Sequence, residues 1–169
     1  MDQLVTAALL TIFPGAMALA AAFDLVTMRV PNAFVLRLTA GFFLVAPLAD
    51  LGWPAVGLHI GIAAVALAIG FGLFAMGWLG GGDAKLFAAT CLWLGPAALI
   101  YAIYAAVIGG VLTLALLYWR AIPLPALLTS QDWIVRLHSR EQGVPYAIAL
   151  AASGLLVYPH TPFMAALAG

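Results

Sequence analysis

Two aspartates stand where a carboxylate is costly. Asp24 follows the apolar run "AMALAAAF" without a break, and Asp83 follows three glycines in "GGGDAK". Asp2, Asp50, Asp132 and Glu141 fall in solvated termini or connections, but Asp24 and Asp83 fall at the ends of apolar segments. Carboxylates at membrane depth are expensive and tend to be functional. Two of them about 3 Å apart cannot both ionise readily and tend to share one proton. The charged member of such a pair is a general base toward water, and the protonated member polarises or protonates a scissile amide. That is aspartic-peptidase chemistry at a membrane boundary.

Each aspartate also has a plain structural reading. Asp24 sits at the C-terminal end of a helix, where the macrodipole disfavours an anion; otherwise it reads as a loop residue paired with Arg29. Asp83 reads as an N-cap, a favoured aspartate position. The glycines shift that balance. Gly80, Gly81 and Gly82 permit unusual φ values and let another backbone come close. Such a turn needs protein or water around it, not lipid. A phosphate-binding loop is excluded: after Gly77 and Gly82, aspartate stands where that loop requires lysine.

The elements that position these residues follow from composition. The chain of 169 residues is 66% apolar and 7% charged, against about a quarter charged in a soluble domain. Apolar stretches recur at lengths that suit membrane-spanning helices. The expected fold is all-α: one polytopic membrane domain over residues 1–169, a bundle of about six transmembrane helices. The segments run over about 4–23, 33–49, 55–79, 84–94, 97–119 and 146–167, with a connection over 120–145. The first is read as a retained helix, since its start carries Asp2 and no Lys or Arg. The fourth is short for a ~30 Å hydrocarbon core, so one long helix over 84–119 competes with it. Charge decides: with six crossings, Arg29, Arg37, Lys85, Arg120, Arg136 and Arg140 all lie in or beside one side, the basic cytoplasmic one. Both aspartates then lie at that face.

The 120–145 connection holds "TSQDWIVRLHSRE". It reads as a short interfacial helix capped by Thr129 or Ser130. Trp133, Ile134 and Leu137 fall on one side of it, and Asp132, Arg136 and Arg140 on another. The lone Cys91, among Leu86, Phe87, Leu92 and Trp93, reads as a packing residue. His59, His138 and His160 are isolated in sequence, so no metal and no cofactor is expected. With no net charge and no basic patch, nucleic acid is not an expected partner.

At this point the sequence resembles the type IV prepilin peptidases. "DLVTMRVPN" from Asp24 is similar to their first aspartate motif, and "GGGDAK" to their second, the Gly-x-Gly-Asp motif ending at Asp83. "CLWLGPAAL" from Cys91 and "GVPYAIALAASGLL" from Gly143 resemble stretches of the short, single-domain members that serve tight-adherence (Flp-type) pili. The resemblance implies a metal-independent aspartic endopeptidase of the bacterial inner membrane. It would cleave the leader of pilin-like precursors at the cytoplasmic face, just before their hydrophobic segment. By motif match Asp24 and Asp83 are the catalytic pair, and the expected partners are that precursor and the bilayer. Lys85 and Arg29 match accompanying basic positions, Pro31 and Asn32 shape the turn into the second helix, and the glycines give the substrate backbone room. The extra cytoplasmic domain with paired Cys-x-x-Cys motifs found in longer members is absent, which puts methylation of the new N-terminus in doubt. Presenilin-type relatives use the same dyad but usually carry Tyr before the first aspartate, where Phe23 stands here. Two rival classes are a proton-coupled transporter using the aspartates as a relay and a structural subunit of a secretion machine in which they are only caps.

Overall fold

The computed structural model describes residues 3–168, with side chains over 6–165; Asp2 lies outside the described residues. All regular structure among them is helical. α1 is Gln3–Thr27, α2 Asn32–Leu48, α3 Trp53–Ala75, α4 Gly81–Leu94, α5 Ala98–Arg120, α6 Asp132–His138, α7 Ala147–Val157 and α8 Pro162–Ala168. A bundle of this kind satisfies its backbone internally, as a hydrocarbon surrounding demands. Three stretches are long and apolar enough to cross a membrane: Thr6–Thr27, Trp53–Ala75 and the run Gly81–Arg120; Asn32–Leu48 and Ala147–His160 are shorter apolar helices. The chain is a membrane protein.

The run Gly81–Arg120 is not one rod. Gly95 has φ +52°, a tight helical turn over Gly95–Ala97 follows, and α5 doubles back. Phe87 of α4 accordingly stacks on Tyr101 of α5, ring centroids 5.5 Å apart. A side chain at Gly95 would run into the His59 ring, so glycine is required there by both conformation and space. α3 is antiparallel to α4: Gly70 lies against the Ala84 backbone at one end, and His59 Nδ1 bonds the Leu92 carbonyl at 2.7 Å toward the other. α1 is antiparallel to α7: the Asp24 carboxylate meets the Ala147 amide, and the Tyr158 hydroxyl donates to the Leu9 carbonyl at 2.9 Å. These pairings gather the end of α1 and the starts of α2, α4 and α7 at one end of the bundle.

The opposite half holds an aromatic core. Phe13 stacks on Tyr158 at 4.5 Å, Phe42 stacks on His59 at 5.5 Å, and Trp93 packs between Phe13 and Phe163. Trp93 Nε1 donates to the Leu38 carbonyl at 2.9 Å, tying α4 to α2. Trp93→Phe keeps an aromatic ring but loses that donor and some volume. The expected result is a loss of about 1–3 kcal/mol, measured as a lower thermal unfolding midpoint in detergent.

Several boundaries differ from the sequence expectation. α1 continues one turn past Phe23, because the Met28 amide closes on the Asp24 carbonyl at 2.8 Å and Met28 then leaves the helix at φ +55°. α3 stops at Ala75 rather than 79, where Gly77 takes φ +74°. The last apolar segment breaks at Tyr158–His160, where Pro159 and Pro162 interrupt the helical hydrogen bonding. α6 is not capped by Thr129 or Ser130; their hydroxyls donate to the carbonyls of Ala126 and Leu127 in the preceding turn, and Gln131 stands at the cap without a side-chain bond. Arg140 falls beyond the end of α6, so the Asp132–Arg136–Arg140 stripe does not form. α6 is tied to the bundle by Arg136, which donates to the Val26 carbonyl at 3.0 Å. Two histidines expected to stand apart are packed: His59 is buried in the core, and the half-buried His138 meets the Trp119 ring edge-on at 4.8 Å.

Candidate active site

The end of the bundle where α1 finishes and α4 begins brings the two aspartates together. Asp24 and Asp83 both line two adjoining cavities, one of about 520 Å³ and one of about 450 Å³. The larger is completed by Met28, residues 77–80, Thr113 of α5 and the segment Gln142–Tyr146. The smaller is completed by the α1–α2 connection from Met28 to Asn32 and by Gly80, Gly81 and Gly82. The two aspartates thus sit where two open spaces meet.

The two carboxylates are held differently. Asp24 is buried in the last turn of α1, and its Oδ2 accepts the Ala147 amide at 2.9 Å. That amide is an orphan donor at the N-terminus of α7, the end of a helix that favours an anion. Asp24 is therefore not paired with Arg29, whose side chain is exposed beside the smaller cavity. Asp83 is half-buried and has no hydrogen-bond partner among the described side chains and backbone. It does not cap α4: the cap is Gly80, at φ −68° and ψ 144°, and Asp83 is the third residue of the helix. Its carboxylate folds back over Gly80, where an added Cβ would lie 2.7 Å from Oδ2. Any side chain at 80 would push the carboxylate aside.

The other sequence candidates divide. Gly81 packs against the Phe74 ring and Gly82 against the Val30 backbone, so the start of α4 lies close to α3 and to the α1–α2 connection. Pro31 caps α2 in an extended conformation, its carbonyl accepting the Phe34 amide at 3.0 Å. Asn32 accepts a hydrogen bond from Lys85 Nζ at 3.0 Å, joining α2 to α4. Asn32 lines the smaller cavity, while Lys85 lines neither.

Three contributors were not anticipated. The Ala147 amide is backbone and carries no side-chain signal. Tyr146 lines the larger cavity, and its hydroxyl donates to the Ala105 carbonyl at 3.0 Å while its ring covers Gly109. Arg120, read from the sequence only as a marker of the basic side, is buried. Its guanidinium donates to the carbonyls of Leu137 at 2.8 Å, Gln142 at 3.0 Å and Gly143 at 2.8 Å. It holds the segment that walls the larger cavity and leads into Ala147.

Gly109 tests this support. A methyl group there would overlap the Tyr146 ring, and Tyr146 immediately precedes the amide on Asp24. Gly109→Ala is expected to cost roughly 1–3 kcal/mol through overpacking, read from thermal unfolding. Turnover at the site should fall with it, whereas Gly110→Ala, which meets open space, leaves both near wild type.

No three of His, Cys, Asp and Glu cluster among the described residues. What the site offers is a pair of acids between two cavities, one fixed by a helix N-terminus and one facing open space. Comparison with curated proteins and with solved structures returns no match. The model of the type IV leader peptidase family matches residues 11–115, a span that includes Asp24, the three glycines and Asp83. The chain belongs to the type IV leader peptidase family.

Proposed function

We propose that this membrane peptidase cleaves the leader from prepilin-like precursors, of the tight-adherence type, at the cytoplasmic face of the bacterial inner membrane, with Asp24 and Asp83 as an aspartic dyad. The observation that carries the reading is that both carboxylates line the same two cavities at one end of an apolar bundle. A water held by the pair loses a proton to the ionised carboxylate as its oxygen attacks the scissile carbonyl carbon. The protonated carboxylate donates to the carbonyl oxygen, and collapse of the tetrahedral intermediate delivers a proton to the leaving amine. The amide on Asp24 keeps that carboxylate oriented, while the open side of Asp83 has room for water. The bare backbone around Gly80–Gly82 suits an extended substrate strand. Both acids lie at one end of the bundle, whereas a proton relay for transport uses groups near the midplane.

The test is co-expression of a candidate precursor with wild type, Asp24→Asn or Asp83→Asn, membrane levels matched, with cleavage read as a gel shift. Cleavage by wild type and by neither variant supports the dyad. Cleavage by both variants overturns it.

A further inference from the structure

A third cavity lies outside the dyad. It is a groove of about 530 Å³ between α2 and α3, floored by α4. α2 and α3 both pack on α4 but scarcely on each other, which leaves the groove open along its length. Its walls are largely apolar: Val35, Leu36 and Phe43 on one side, Ala64 and Leu67 on the other, with Ala88 in the floor; the Thr39 hydroxyl in the wall is spent on the Val35 carbonyl at 3.0 Å. Only its mouth is strongly polar, where Lys85 bonds Asn32. Asn32 also lines the smaller dyad cavity. The groove thus borders the site across one shared residue, and it runs from there along α3, away from the dyad end toward Ile60.

That shared wall selects the occupant. A substrate cut just before an apolar segment must send that segment into the bilayer within a few residues of the dyad. Of the cavities described, this groove alone joins the dyad end to an apolar, helix-lined channel. Small residues in its wall and floor allow close helix approach. Resting on the reading above, we infer that the α2–α3 groove seats the apolar helix of the precursor, with the Lys85–Asn32 pair as the polar threshold between scissile bond and helix. Lys85 and Asn32 then act on substrate placement rather than on the water.

The experiment uses purified full-length protein in detergent with an intact precursor. Ala64→Phe fills the groove from an exposed position on α3, and Ile69→Phe puts the same ring on the far side of α3, outside it. Ala64→Phe is expected to raise KM about tenfold with kcat within twofold of wild type, while Ile69→Phe changes neither. In parallel, Leu67→Cys inside the groove and Ile69→Cys outside it are placed in the Asp83→Asn background. Each is offered a precursor with one cysteine in its apolar segment; native Cys91 is buried. A disulfide adduct at 67 and none at 69 supports the assignment, and that readout holds even if Ala64→Phe fails to fold. An unchanged KM in folded Ala64→Phe, or equal adducts at both positions, overturns it and points to lipid as the occupant. Either result leaves the dyad reading intact, since that reading is tested separately by whether Asp24→Asn and Asp83→Asn still cleave.

Discussion

Asp83→Asn and Asp24→Asn are each expected to lower the cleavage rate by roughly a thousandfold or more, in the range of general acid–base contributions, with little change in stability. The stability half of the statement gives it discriminating power. Asn is isosteric with Asp. At position 24 its side-chain oxygen can still accept the Ala147 amide, and at position 83 there is no protein hydrogen bond to lose. A protein in which these residues were only helix caps would tolerate both changes in fold and in function. A dyad tolerates them in fold alone, because an amide neither takes the proton from water nor gives one to the carbonyl oxygen. The double variant should be no slower than the slower single one, since residues acting as a unit are not additive. Initial rates with purified protein, alongside unfolding midpoints, measure all of this. Rates within tenfold of wild type for well-folded single variants would sink the assignment.

The second large effect is expected at Arg120, far from either carboxylate in sequence. Its three carbonyl partners at Leu137, Gln142 and Gly143 form one fan that fixes the segment leading to α7. Hydrogen bonds to charged groups contribute about 1.5–3 kcal/mol each, offset in part by the cost of burying the charge. Arg120→Met leaves those carbonyls without their donor and frees the segment that delivers the Ala147 amide to Asp24. The expected result is a fall in kcat of about tenfold to a hundredfold, the cost of misplacing groups without removing them, with a smaller change in KM. Arg120→Lys should recover part of it, because one ammonium can reach some of the carbonyls but not span the fan. Hydrogen exchange gives the independent readout: amides over 142–147 should exchange faster in Arg120→Met than in wild type. Unchanged exchange together with unchanged kcat would show that the segment holds its position without the guanidinium.

Much of the site was legible because its residues violate the rules of their surroundings. A carboxylate directly after "AMALAAAF" and another after three glycines stand out from their apolar surroundings, and the structure brings both to the same cavities. The ends of the helices were less legible. Gly81 and Gly82 read as turn residues, yet both are helical, because their lack of side chains lets the first turn of α4 pack against Phe74 and Val30. The last turn of α1 was missed because Asp24 interrupts the apolar run, although Leu25 and Val26 resume it; the Met28 amide and the Thr27 hydroxyl, which donates to the Phe23 carbonyl at 2.6 Å, close that turn. His59 looked isolated because its partners are a carbonyl and two phenylalanine rings from other helices. Arg120 could be assigned to a side of the membrane from its sequence neighbours, but not to three carbonyls about twenty residues further on. In each case the missing information is a contact with backbone, which leaves no residue type to read.

The grip on Asp24 comes from the first amide of α7, whereas both aspartates lie in the first four helices. Chain order therefore becomes a safeguard in time. A nascent chain that has inserted α1 to α4 already carries both acids, but Asp24 is not yet oriented and the larger cavity lacks the wall formed by Gln142–Tyr146. The contact on Asp24 and the wall of the larger cavity form only when α7 docks against α1 and α5, so under the proposed reading the dyad is completed last.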